Sequence, residues 1–414
     1  MTYYSRRMKK RKNPDHTGLP QISRRVTILR LIRERIEISR SDIALHLSLD
    51  KKTVSHLVDE LLERSLIASS GFKESKAGRR QELLSLNGGH SNYVGIDLGG
   101  THIIGIRADL NGRILDRIFF EIRPGLPVEI ILDQMKTICA ALMGSEKKTA
   151  DVRAIGVCAP GFMNPITGAS ILAENIPGWR NVSLREIFEK EFTRPVLTED
   201  SSRAYALAEK WLGDGRGRKD FLLVDLGYGI GMALVVGDQL YCGAGNKAGE
   251  IGHNVVVAGG HECTCGNRGC LETVASGRAI ARDAALGIQE GKSELLKGLT
   301  HGKADSVTAQ DVAIAASMED PFSIGILKNA GRYVGMALAN AVSILNPSLV
   351  FLGGGLITSN KIMEAGIADA LRDHTMPSIL EDMELRVSKL GIDGSALGSV
   401  CLATTSIFKE EQGK

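Results

Sequence analysis

The chain has 414 residues, 43% of them hydrophobic, with a formal net charge of +3, enough for a substantial core and two or three domains. No apolar run reaches the roughly 18 to 20 residues of a membrane span, and the basic start MTYYSRRMKKRKN leads into no apolar stretch of a signal peptide, so a cytoplasmic location is expected. The small total hides an asymmetry: residues 1–80 carry 19 Lys and Arg against 9 Asp and Glu, and the remainder carries 32 against 39. A basic head on an acidic body predicts a polyanionic partner for the head, most simply double-stranded DNA.

Residues 1–20 read as a basic tail, and a solvated tail accounts for Arg6–Lys12 without accounting for the rest of the head. From Gln21 to about Glu37 the apolar residues Val26, Leu29, Leu31, Ile32 and Ile36 predict a first helix. Ser39 is placed to cap a short helix carrying Ile43, Ala44 and Leu47, and Asp50 to cap another. In that third helix Val54, Leu57, Val58, Leu61 and Leu62 form one stripe, which leaves Lys51, Lys52, Thr53, Ser55 and His56 facing outward. Strands at 66–69 and 82–85 flank a basic wing with Lys73, Lys76, Arg79 and Arg80. Residues 21–90 are therefore expected to be a winged helix-turn-helix whose third helix reads bases and whose wing holds phosphates. A small helical protein-interaction module is the other reading of this head.

The body, residues 91–414, contains an internal repeat. YVGIDLGGTHIIGIRADLNGRILD at 93–116 and FLLVDLGYGIGMALVVGDQLY at 221–241 each run from an apolar strand into Asp-Leu-Gly, a glycine-rich turn and a second apolar strand. Glycine turns let backbone N–H groups approach a phosphate, and a strand-end Asp can hold Mg²⁺ through water. Between and after the repeats come IGVCAPGFMNPITG (155–168), ENIPGWRNVSLREIF (174–188), TEDSSRAYALAEKWLG (198–213), KAGEIGHN (247–254), HECTCGNRGCLE (261–272) and NPSLVFLGGGL (346–356). Cys263, Cys265 and Cys270 have the spacing of three soft ligands on a compact loop, and in a reducing compartment such a cluster predicts zinc before a disulfide. A fourth ligand is available at His253, ten residues upstream, or at His261, which sits awkwardly close to Cys263; three unmetallated thiols are the alternative.

Together these motifs resemble the two phosphate loops of the sugar kinase, actin and Hsp70 superfamily, and more narrowly the ROK family of sugar kinases and sugar-responsive repressors, from about Arg24 onward. The resemblance implies an α/β fold: a winged helix-turn-helix followed by a two-lobed, actin-like (ribonuclease H-like) body. The second lobe is expected to start near residues 200–220, and the C-terminal helix to return to the first. It implies that His253 completes a Cys3His structural zinc site with Cys263, Cys265 and Cys270, and that Glu250, His253 and Glu272, with Asp200, contact a sugar. Asp97, Gly99, Gly100, Thr101, Gly227 and Gly229 then belong to nucleotide-type phosphate loops.

Two departures argue against phosphoryl transfer. Alignment on Ala206-Leu207-Ala208-Glu209 puts Asp200 where the family has Asn and Ser201 where it has its catalytic Asp, and serine alone is a poor base. Tyr228 stands where the family has Thr, and Met232-Ala233 where it has small glycines. The expectation is a non-enzymatic, sugar-responsive repressor of carbohydrate genes that binds a sugar or sugar phosphate, pairs as a homodimer or homotetramer on a DNA operator, and has no membrane partner. An ATP-dependent sugar kinase with an accessory DNA head, using Asp200, is the alternative. A body that docks a sugar-transport protein is the third.

Overall fold

The computed structural model describes residues 24–73, 80–123, 125–144, 152–173 and 176–412, with side chains to Phe408. In the head, α1 (Arg24–Arg35), β1 (Ile38–Ser39), α2 (Arg40–Leu47) and α3 (Lys51–Glu63) precede the hairpin β2 (Ile67–Lys73) and β3 (Gln81–Leu86). The sheet order is β1-β3-β2. Ser39 Oγ accepts from Asp42 N at 3.2 Å, and Asp50 Oδ1 accepts from Thr53 N at 2.8 Å, so both predicted caps form. The left-handed Ser48 (φ 52°) ends α2 and turns the chain into α3. Ile36 departs from expectation: it lies beyond the helix at φ 65°, 54% exposed, because the chain reverses there to enter β1.

The first lobe holds β4 (Asn92–Leu98), β5 (His102–Asp109), β6 (Ile114–Glu121), α4 (Val128–Met143) and β7 (Val152–Ala159). A small sheet follows of β8 (Phe162–Met163), β9 (Ser170–Leu172) and β10 (Arg180–Val182). Then come α5 (Leu184–Phe192), β11 (Val196–Asp200) and α6 (Ser201–Trp211). Its main sheet has the order β11-β7-β4-β5-β6, with β4–β5–β6 antiparallel and β7 and β11 parallel to β4.

The second lobe repeats this plan with β12 (Phe221–Leu226), β13 (Ile230–Val236), β14 (Gln239–Leu240), β15 (Leu349–Gly353) and β16 (Glu384–Val387). The order is β14-β13-β12-β15-β16, again an antiparallel hairpin unit with parallel strands added on one side. Helices α7 (Gly277–Gln289), α8 (Pro321–Leu345) and α9 (Lys361–His374) cover it. The last helix, α10 (Gly394–Gln412), lies on the first lobe's sheet so closely that a Cβ at Gly156 would come within 1.8 Å of Ser399 O. The duplicated hairpins thus put Asp97 and Asp225 at equivalent ends of β4 and β12, facing one cleft. Among the described residues no helix is long and apolar enough to cross a membrane.

Candidate functional site

One cavity of about 200 Å³ lies between the lobes and is lined by both glycine turns, by Asp97, Asp200 and Asp225, and by Glu250, His253 and Glu272. Gly99, Gly100, Gly227 and Gly229 belong to its wall. Thr101 is exposed; its hydroxyl lies 3.3 Å from His102 Nδ1. Asp200 is the N-cap of α6, its Oδ1 accepting from Arg203 N at 3.1 Å. Burial pushes its carboxyl up to about 6, and burial together with Asp97 and Asp200 pushes Asp225 up to about 7. Burial raises Asp97 too. Three carboxylates in one partly dry cleft resist joint ionisation.

At the expected catalytic position, the Ser201 hydroxyl donates to Asp97 Oδ1 at 2.9 Å. Tyr228 closes on the opposite turn: a Cβ at Gly100 would lie 2.6 Å from the Tyr228 Cβ and Cδ1. The ring thus narrows the cavity between the two glycine turns, which both line it. Met232 lines the same cavity while packing into the second lobe's core.

Glu272 is 14% exposed at its side chain. Its Oε2 accepts from Ile230 N at 3.1 Å, and its Oε1 from Arg278 Nη2 at 3.0 Å. A Cβ at Gly252 would meet Ile230 O at 2.2 Å and Glu272 Oε2 at 3.4 Å, so the GEIGH turn, the second glycine turn and Glu272 fit only with glycine there. Glu250 Oε2 lies 4.0 Å from His253 Nε2.

The other ring nitrogen of His253 faces the cysteines. His253, Cys263, Cys265 and Cys270 place one ligand atom each within 4.8 Å of one another. Cys263 Sγ is 3.5 Å from His253 Nδ1, and Cys265 Sγ is 3.7 Å from Cys270 Sγ. Zinc bonds of ~2.3 Å to sulfur and ~2.0 Å to nitrogen give a tetrahedron with edges of about 3.8 Å (S–S) and about 3.5 Å (S–N). The donor set therefore fits a tetrahedral zinc. Gly269 (φ 77°) permits the fold of this loop, since a Cβ there would strike Val257 O at 1.7 Å. Burial, with hydrogen bonds among the sulfurs, pushes the Cys270 thiol up to about 12, a preference that a bound cation reverses. His261 stands outside the tetrad.

In the head, Lys51, Lys52 and His56 are exposed on the first turns of α3, and Lys73 and Arg80 are exposed at the wing's two bases. Lys76 and Arg79 lie outside the described residues. Thr53 and Ser55 are committed locally: Thr53 Oγ1 donates to Asp50 Oδ2 at 2.5 Å, and Ser55 Oγ accepts from Arg40 Nη1 at 3.2 Å.

Beside the residues singled out by sequence, two further polar groups at or next to the cavity were not named. Arg203, 3% exposed, pairs with Glu199 at 3.1 Å and donates to Asn246 Oδ1 at 3.0 Å. Asn246 Nδ2 in turn donates to Met163 O across the cleft at 2.7 Å. Asp225 was legible as the repeat partner of Asp97, whereas no local pattern marks Arg203 or Asn246.

A winged head joined to a duplicated, two-lobed body with a sugar-kinase-type cleft defines the class. The chain belongs to the ROK family: that family's model matches residues 93–406, and the MarR family's model matches residues 23–76. A glucokinase from Halalkalibacterium halodurans is 35% identical over 78% of this chain and 97% of its own length. A xylose repressor from Caldicellulosiruptor bescii is 28% identical over 95% of this chain and 98% of its own. A ROK-family transcriptional regulator, a homologue of the E. coli MLC protein, superposes with a TM-score of 0.75 at 25% identity, over 94% of this chain and 98% of that one. A ROK glucokinase from Streptomyces griseus, in complex with glucose and AMPPNP, superposes at 0.68 and 30% identity, over 76% and 99%.

Proposed function

We propose that the protein is a sugar-responsive, DNA-binding repressor of carbohydrate uptake or catabolism genes, with the effector bound between the lobes and no phosphoryl transfer. The observation that carries this reading is the narrowed phosphate gap: Tyr228 packs on Gly100, while the Ser201 hydroxyl, in the base position, donates a hydrogen bond to Asp97. A kinase needs a free carboxylate at the acceptor hydroxyl and an open cradle for ATP. The repressor and regulator relatives, which match along nearly the whole chain, support it. The glucokinases match a smaller share, 78% of this chain for the one from H. halodurans and 76% for the one from S. griseus.

In this reading Asp200, Glu250, His253 and Glu272 hold sugar hydroxyls, and the Cys3His tetrad holds a structural Zn²⁺ that fixes the wall carrying His253 and Glu272. Lys51, Lys52 and His56 face bases or phosphates, and Lys73 and Arg80 face phosphates, in a two-fold pair of heads on a pseudo-palindrome. A gel shift on the DNA upstream of its own gene tests it, with and without a panel of neutral pentoses and hexoses. Salt-sensitive, site-selective binding that a sugar changes is expected; none with any sugar would sink the reading.

The second reading, an ATP-dependent sugar kinase, is favoured by Asp200, whose raised carboxyl lines the same cavity. It requires sugar-dependent ADP release that Asp200→Ala abolishes and Ser201→Ala spares.

A further inference from the structure

Arg33, near the end of α1, sits between two rings from the body. Its guanidinium carbon is 3.2 Å from the centroid of the Trp211 ring and 4.5 Å from that of Phe408. Its Nη1 is buried and, among the described residues, finds no hydrogen-bond partner. Burial lowers its pKa to about 9. A purely structural anchor at this seam is better served by an apolar side chain, since a buried cation without full hydrogen bonding costs stability.

The two rings report on different parts of the molecule. Trp211 ends α6, the helix whose N-cap is the cavity residue Asp200. Phe408 belongs to α10, whose second residue, Ser395, also lines the cavity. Both helices therefore start at the cavity and run to the head, about 16 Å along α6 at 1.5 Å per residue. Their attachments differ. α6 leaves β11 of the first lobe, where its first residue Ser201 bonds Asp97, but beyond that point it is tied to the second lobe: Tyr205 OH donates to Ser388 Oγ at 2.9 Å, Ser388 donates to Glu209, and a Cβ at Gly231 would lie 2.1 Å from Ser202 Oγ. α10 is seated on the first lobe, with Gly95 and Gly156 of the sheet admitting the Ala396 and Ser399 carbonyls. The helices touch at Gly398, where a Cβ would meet Ala204 O at 1.8 Å. Smooth small-residue contacts of this kind permit shear between packed helices.

We propose that Arg33 is a positioning residue that reads the placement of α6 against α10, and so passes the ligand state of the cleft to the DNA-reading head. This rests on the sugar-responsive reading above. When the lobes close on a ligand, the part of α6 beyond Ser201 follows the second lobe, α10 stays with the first, and the Trp211–Arg33–Phe408 stack must re-form or break. The head follows, because its core is continuous with that of the first lobe and α10: Leu29 and Ile32 of α1 pack in one cluster with Tyr93, Val400 and Ile407.

The test uses the full-length protein with xylose and glucose as probes. Calorimetry measures binding, and hydrogen exchange follows the amides of α1. In the wild type the bound sugar should change α1 exchange by about fivefold or more, the lower end of ordinary coupling factors. In Arg33→Met the same sugar should bind within about threefold of wild-type affinity while the α1 response falls below about twofold. Trp211→Phe, which keeps a ring under the guanidinium, should retain a response between the two. An unchanged response in Arg33→Met overturns the proposal and leaves the sugar reading standing. If Arg33→Met does not fold, Arg33→Lys decides: it keeps the charge without the planar stack, and an undiminished response there overturns the proposal equally. If neither probe nor any other neutral pentose or hexose binds the wild type, the sugar reading itself falls, and this inference with it.

Discussion

At the scale of single residues, the cleft is governed by the crowding of Asp97, Asp200 and Asp225. Asp225 has its carboxyl raised from 3.8 to about 7 by burial and by the other two. An acid whose folded pKa is raised holds its proton more tightly in the folded state. Its contribution to stability is therefore full below pH ~4 and lost as pH rises through ~7. Asp225→Asn removes that loss. Without divalent cations, the variant should match the wild type near pH 4 and exceed it at pH 8 by on the order of 1–3 kcal/mol in thermal or urea unfolding; a constant offset at both pH values would refute the assignment. Glu272 is the second test at this scale. Its carboxylate is already fixed by Ile230 N and Arg278, so Glu272→Gln keeps the shape, weakens a charge-assisted acceptor, and should lower sugar affinity roughly 10- to 100-fold by calorimetry. The departure at Ser201 was legible because a helix with a fixed pattern, Ala206 to Glu209, supplied the alignment. Its partner Asp97, 104 positions away, was not. Sequence spacing reports what shares an element and stays silent on what shares a cleft.

At the scale of elements, the cysteine loop shows the same division. Cys263, Cys265 and Cys270 announced themselves by spacing, and of the two histidine candidates His261 was disfavoured only because it lies two residues from Cys263. The structure separates them through backbone geometry: the short turn Ile251–His253 delivers Nδ1 to Cys263, 3.5 Å away, while Nε2 turns toward Glu250. One ring thus joins the Cys3His cluster to the cavity wall. Purified protein should carry about one zinc per chain. Cys263→Ser should lose most of it, and Glu272 and His253 should lose their fixed positions, so sugar affinity should fall alongside zinc content. A variant without zinc that binds sugar as the wild type does would separate the two sites. The caps at Ser39 and Asp50 were readable for the opposite reason, since a cap is a contact between near neighbours in sequence. The same locality explains the one misplacement in α1: Ile36 fits the helical spacing, but the reversal into β1 is dictated by pairing with Leu83 and Leu84, far along the chain.

At the scale of the whole molecule, the sequence predicted a head and a body by their opposite charge and was silent on their docking. The apolar face of α1 was equally consistent with a core private to the head. In the structure that core runs on into the first lobe, so the DNA-reading surface is oriented by the body. What faces outward is the start of α3 and the two bases of the wing. Lys51 sits at the positive N-terminal end of α3, beside Asp50, whose carboxyl is held below its usual value by hydrogen bonds from Thr53. Arg80 begins the returning strand of the wing and is exposed. If both meet phosphates, each replacement by Ala should lower the slope of log affinity against log salt by about one. They should differ in sequence dependence. Arg80→Ala should weaken binding to specific and unrelated DNA alike, whereas Lys51→Ala, at the start of the helix proposed to enter the major groove, should also alter preference among operator variants. Binding curves at several salt concentrations on a specific and a scrambled duplex decide this, and curves that coincide with the wild type for both variants would remove α3 and the wing from the DNA interface.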